Sequence, residues 1–179
     1  MITLETPRLL LRQLAMSDLD DLYRILSDPI TMAFWPAPFT REATQTWIER
    51  SLQSYRDHGF GRYAVILKQS QALIGDCGIL KNAIDGVIEN DLGYIIFRDY
   101  WRQGYASEAA AACKRYGLET LQLERLCANM AADNVASRRT AETIGLRFER
   151  EFYNARNRNL LTYLYTIEQP HRTPQIEAG

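Results

Sequence analysis

The stretch from Gly93 through Tyr94, Trp101, Arg102 and Gly104 to Ala109 constrains the fold more than any other part of the chain. A β-rich run passes through a tight turn straight into an alanine-rich helix, with Gly104 and Ala106 at the junction. The first turn of a helix leaves backbone N–H groups without partners, and the helix dipole adds partial positive charge there. Small residues let a ligand approach that backbone, so the junction suits a phosphate or pyrophosphate. A plain tight turn with no ligand reads equally well from these residues alone. Ala106 and Ala109 to Ala112 let the helix sit close to a sheet. The P-loop pattern G-x-x-x-x-G-K-[ST] is absent.

The periodicities around this junction give an element order. Ile2 to Leu14 reads as a first strand, and Ser17 with the acidic turn Asp18 to Asp21 opens a helix that stops before Pro29. Met32 to Phe39 is a loop whose apolar side chains suit either a core or a binding cleft. Thr40 caps the next helix, where Ala43, Trp47, Ile48, Leu52 and Tyr55 form a stripe read as a core face. Strands at Phe60–Lys68, Ala72–Leu80 and Val87–Phe97 make an antiparallel meander. A helix at Tyr105–Leu121, a strand at Arg125–Met130 and a helix at Asn134–Ile144, capped by Gly145, follow. Phe148–Tyr153 and Leu160–Ile167 close the chain as a hairpin, and residues 171–179 read as a flexible tail. This is a mixed α+β or α/β layout around one sheet, in a single domain over residues 1–170.

Composition removes several function classes. The chain has 179 residues and a formal net charge of −1, which argues against a general nucleic-acid coat protein. No run approaches the ~18 apolar residues of a membrane span, and the N-terminus lacks the pattern of a secretory signal, so a cytoplasmic location is expected. Cys77, Cys113 and Cys127 form no C-x-x-C pair, and His58 and His171 look like part of neither a Cys-His pair nor a metal cluster. Buried free thiols and no metal are therefore expected. Gly59-x-Gly61-x-x-Ala64 follows a helix and opens a strand, the reverse of a dinucleotide fingerprint. The basic set is 18 Arg and 3 Lys. Genomic composition accounts for that bias; alternatively, Arg98, Arg102 and the cluster Arg138, Arg139, Arg147, Arg150, Arg156 and Arg158 gather around a small anion.

Three separated motifs resemble one family. Trp101-Arg-Gln-Gly-Tyr-Ala106, followed by Ser107-Glu108-Ala109, looks like the acetyl-CoA pyrophosphate loop of the GNAT N-acetyltransferases. The opening Leu4-Glu-Thr-Pro-Arg-Leu-Leu-Leu-Arg12 with Asp18, and Asn134-x-x-Ser137 with Ile144-Gly-Leu-x-Phe148, are similar to the RimJ/RimL branch of that family. The resemblance spans about Thr3 to Ile167. It implies a mostly antiparallel sheet flanked by helices, with the fourth and fifth strands splayed and acetyl-CoA in the opening.

The same resemblance implies the site. The pantetheine arm would pair with backbone from Tyr94 through Ile95 and Ile96 to Phe97, as an added strand. The pyrophosphate would rest on the N–H groups of Arg102, Gln103, Gly104, Tyr105 and Ala106. Asn134 and Ser137 match positions that contact CoA, although Asn134 can equally be a plain helix cap and Ser137 can bond within its own turn. Trp101 stands where many members have Gln or Arg. The tyrosine acid of many members is replaced by Ala141, which leaves Ser137 as first substitute donor and Tyr153 or Tyr163 as others. Acetyl transfer needs a neutral amine, hence a base, and Glu89 and Asp91 share a strand face just before Gly93. A solvated turn end is the alternative for both. The backbone N–H near Ile96 is the expected oxyanion donor. The expected activity is transfer of acetyl from acetyl-CoA to a primary amine, on a protein N-terminus or a small molecule. A non-catalytic CoA-binding regulator is the alternative, and an ATP-binding protein using the same anion site is a third. The resemblance also allows a homodimer.

Overall fold

The computed structural model describes residues 2–169. The expected tail at 171–179 lies outside them. β1 (Thr3–Glu5) and β2 (Leu9–Gln13) form a hairpin, where the sequence suggested one strand. Pro7 lacks an N–H and sits in the turn, while Thr6 closes it by bonding Leu9 from both backbone and side chain.

The remaining elements are α1 (Leu19–Leu26), α2 (Arg41–His58), β3 (Arg62–Leu67), β4 (Ala72–Ile84) and β5 (Val87–Ile96), then α3 (Tyr105–Arg115) and β6 (Arg125–Ala131), then α4 (Val135–Thr143), β7 (Arg147–Asn154) and β8 (Leu160–Glu168). Thr40 Oγ1 accepts from the Ala43 N–H at 3.1 Å, and Gly59 in the left-handed region ends α2. Beyond Arg115, α3 widens into a π-helical segment, Tyr116–Thr120. Among the described residues no helix is long and apolar enough to cross a membrane.

One eight-stranded sheet runs in the order β1-β2-β3-β4-β5-β6-β8-β7. Side-chain alternation assigns the two faces. On β3, Tyr63, Val65 and Leu67 pack with Ala109, Ala110 and Cys113 of α3, whereas Ala64 and Ile66 pack with Leu22, Ile25 and Ile48 of α1 and α2. All three cysteines are buried.

Every neighbouring pair of strands is antiparallel except β5 and β6, which meet in parallel at a single bridge, Asp91 to Cys127. Past that bridge the two strands separate, and the sheet opens between Leu92–Ile95 and Ala128–Ala131. The expected splay is therefore present, between the strands now labelled β5 and β6.

Candidate active site

The opening leads into a cleft of about 1150 Å3. The turn between β5 and α3 follows the stretch of β5, Leu92 to Ile95, that lines this cleft. Gly104 is the N-cap of α3 at φ 80°, a left-handed conformation that favours glycine, and Arg102 is also left-handed at φ 60°. Among the described residues, the N–H groups of Arg102 to Ser107 meet no protein acceptor. This row of donors, over a helix dipole, is what an anion requires.

The cation beside this row is Arg8. Its Nη1 donates to Gln103 O at 2.9 Å, its Nε donates to Glu108 Oε2 at 2.6 Å, and its guanidinium lies 4.5 Å from the centre of the Tyr105 ring. Thr6 Oγ1 and the Arg8 N–H donate to the other oxygen of Glu108 at 2.6 and 3.0 Å. Burial pushes the Glu108 carboxyl up, but the bonds from Thr6 and Arg8 outweigh it and hold it below its ordinary value. The turn at Pro7 thus clamps the loop and the first turn of α3.

Three of the C-terminal arginines have acceptors of their own. Arg150 pairs with Asp85 at 2.5 Å, Arg156 donates to Ala83 O and lines the cleft, and Arg158 donates to Ala33 O. Arg98 is paired with Asp28 and Asp99. Arg150, Arg156 and Arg158 thus reach different parts of the fold and not a common anion. Arg12, the other arginine of the opening motif, is committed to Asp18 through two bonds of 2.8 and 2.7 Å.

Along β5 the backbone is only partly free. The Phe97 N–H donates to Ile74 O at 2.8 Å and the Phe97 carbonyl accepts from the Tyr100 N–H at 2.9 Å. Phe97 is therefore corrected as a strand-pairing partner, because both of its backbone groups are used within the fold. The Trp101 indole donates to Ile96 O at 2.7 Å, so the residue that departs from the common family pattern covers that carbonyl. Tyr94 and Ile95 both line the cleft, but the backbone of Ile95 is paired with β4 at Asp76, so Ile95, like Phe97, is corrected as a pairing partner and the open edge falls to Tyr94.

Asp91 lies where β5 and β6 part, and it lines the cleft. Asn82 Nδ2 on β4 donates to one of its oxygens at 2.7 Å, and Asn129 Nδ2 on β6 donates to the other at 3.1 Å. Burial raises the Asp91 pKa; the two carboxamides and the Arg62 and Arg50 charges oppose the rise without cancelling it. A carboxylate held this way is a better proton acceptor than a solvated one. Glu89, its strand neighbour, is not brought into the cleft. It takes two bonds of 3.2 Å from Arg125, which also pairs with Glu149 and Glu168.

Behind Asp91 sits a buried ion pair. Arg62 Nη2 meets Asp76 Oδ1 at 2.5 Å, and Trp47 Nε1 donates to Asp76 Oδ2 at 2.5 Å. The Arg62 guanidinium lies against Gly93, where a Cβ would come within 1.9 Å of Nη1. Gly93 is thus a residue of close approach.

Across the opening, Asn134 Oδ1 caps α4 by accepting from the Ser137 N–H at 3.1 Å. Its side-chain oxygen is engaged in that cap, the plainer of its two sequence readings. Ser137 Oγ donates to Tyr94 Oη at 3.2 Å, and Tyr94 Oη donates to Ser137 O at 2.7 Å. Burial raises the Tyr94 pKa. Ala141 is fully buried in the core, so its position does not face the cleft. Tyr153 is exposed at the cleft mouth and Tyr163 packs against Phe148 instead.

One wall of the cleft is aromatic. Trp35, Phe39 and Trp47 meet edge to face with centroids 5.5 to 5.7 Å apart. Trp47 and Ala43 line the cleft, so the stripe read as core is only partly so. Met32 goes to the core and Phe34 to Phe39 to the cleft, which divides the loop between its two readings. Asn157 Nδ2 donates to Phe34 O at 2.7 Å and Arg158 to Ala33 O at 3.2 Å, strapping that loop to the β7–β8 hairpin.

The family model for the acetyltransferase (GNAT) domain matches residues 8–147. An uncharacterised N-acetyltransferase, p20, from Bacillus licheniformis is 31% identical, covering 93% of this chain and 96% of that protein. The crystal structure of a GNAT-family acetyltransferase from Bacillus anthracis superposes with a TM-score of 0.78 at 28% identity, over 93% of this chain and 98% of that one. RimL, a ribosomal L7/L12 alpha-N-protein acetyltransferase solved with coenzyme A, shares the fold with a TM-score of 0.76 at 14% identity, over 93% and 98% of the two chains.

Proposed function

Because this chain belongs to the GNAT acetyltransferase family, we propose that it moves the acetyl group of acetyl-CoA directly to a primary amine, with Asp91 as the base. The observation that carries this reading is the single Asp91–Cys127 bridge, which opens the sheet beside a carboxylate that two asparagines hold.

The residues fit the cofactor. The unpartnered N–H groups of Arg102 to Ser107 would hold its diphosphate, and the strand edge at Tyr94, whose backbone points away from β4, would take its arm. When bound, it supplies a thioester that is already activated for transfer. The chain's own residues do the rest. Asp91 accepts a proton from the incoming ammonium, which makes the nitrogen a nucleophile. Burial and the cleft walls limit competing water. The Ser137 hydroxyl, which donates to Tyr94 Oη at rest, turns its one proton to the departing sulfur, in place of the tyrosine that Ala141 replaces. Among the described residues none of the buried cysteines is hydrogen-bonded to a base, so no covalent acyl-enzyme is part of the proposal.

The test is release of free thiol from acetyl-CoA in the presence of an amine panel, alongside the melting temperature with and without CoA. Thiol release that depends on both amine and Asp91 is expected. A CoA-dependent rise in melting temperature with no turnover on any amine would overturn the catalytic reading in favour of a regulator.

A further inference from the structure

The acceptor end of the cleft holds a charge pattern that amine transfer alone does not require. Arg62 is neutralised by Asp76 and Asp85 by Arg150. Arg50, on α2, lines the same cleft and has no carboxylate partner among the described residues. Its Nη2 donates to Asn82 Oδ1, and Asn82 donates from its other end to Asp91. One carboxamide therefore sets a cation and a carboxylate side by side, facing the same space. They stand no more than roughly 8 Å apart, two hydrogen-bond lengths plus the width of the carboxamide.

We infer that the acceptor is a free amino acid or a closely related amino-carboxylate, with its amine at Asp91 and its carboxylate at Arg50. This rests on the acetyltransferase reading above. An amine and a carboxylate joined through one carbon match the spacing that Asn82 imposes. A bare amine leaves Arg50 without a partner, and a peptide offers it only a neutral carbonyl. A charge-assisted bond to a carboxylate is about twice as strong as a neutral one. Trp47 lies one turn before Arg50 on the same helix face, so the wall of Trp35, Phe39 and Trp47 meets the substrate side chain. An apolar or aromatic side chain fits that wall. The strap from Asn157 and Arg158 to the Ala33–Phe34 loop borders the same wall.

The experiment measures thiol release with phenylalanine, phenylalanine amide, phenethylamine and a peptide beginning with phenylalanine. The acid should lead phenethylamine in kcat/KM by about tenfold or more, the scale of one charged hydrogen bond. In Arg50→Gln the acid-to-amine ratio should fall by about tenfold, and Arg50→Lys should keep part of it. Arg50 is exposed, so both variants are expected to fold, which circular dichroism checks. Turnover in which the amide or the peptide matches the acid, or a ratio unchanged in Arg50→Gln, overturns the inference and leaves the acetyltransferase reading standing. No turnover with any amine, against intact CoA binding, overturns both.

Discussion

Asn82 Nδ2 donates to Asp91 Oδ2 at 2.7 Å while Asn129 Nδ2 holds the other carboxylate oxygen at 3.1 Å, so the carboxylate is gripped from the strands on both sides. Both bonds favour the charged form, against a burial that disfavours it. Removing either donor therefore raises the Asp91 pKa further. In Asn82→Ala or Asn129→Ala the acid limb of the kcat/KM profile should move to higher pH. An acid limb that stays in place would separate Asp91 from the proton transfer.

Asp91→Asn keeps the shape and removes the base. We expect kcat to fall by about 10²- to 10⁴-fold, the usual range for a general base, with the loss smallest at high pH, where the amine is already neutral. Glu89→Gln should leave the rate within about twofold, since Glu89 is turned to Arg125 and its charge is not offered to the cleft. Equal losses in the two variants would undo the assignment.

Arg8→Ala should raise KM for acetyl-CoA about fivefold, the equivalent of ~1 kcal/mol, with little change in kcat. Two effects combine there: the loop loses its anchor at Gln103 O, and Glu108 is left uncompensated in the first turn of α3. Adding Glu108→Gln to Arg8→Ala should recover part of the loss. A double variant no better than Arg8→Ala would assign the whole effect to positioning.

Gly104→Val should abolish the CoA-dependent rise in melting temperature. The left-handed conformation at φ 80° costs a branched residue ~1–2 kcal/mol, and its side chain would crowd the donors. A thermal shift equal to that of the unaltered protein would locate the cofactor elsewhere.

Arg62→Met should lower stability by about 3–5 kcal/mol in urea, because Asp76 stays buried without its cation. Arg62→Met with Asp76→Leu should recover most of that, since removing both charges removes the unpaired one. No difference between single and double variants would mean that the pair is not the source of the cost.

The sequence was most informative where one short stretch carries both the element and its chemistry. Gly104 at a strand-to-helix junction, Thr40 before α2, and Asp91 two residues before the Gly-Tyr pair are of this kind, because each depends on near neighbours. The grip on Asp91 was not legible. Asn82 and Asn129 come from different strands and become partners only through sheet register. Arg8 was visible within a motif, but its attachment to Glu108 is a tertiary fact. Conversely, Arg138, Arg150, Arg156 and Arg158 are close in sequence and reach separate acceptors, because they sit on α4, on β7 and in the turn after it. Phe97 looked free because a strand's pairing side cannot be read from its residues.

The Thr6–Arg8 turn leans on a helix that begins about a hundred residues later, and both ends of that contact are local structures in their own right. Its consequence concerns how the gene can be engineered. A chain opened or trimmed within that turn would retain α3, β5 and nearly all of both cores, and would pass a fold assay. It would nevertheless arrive with an unmoored nucleotide end.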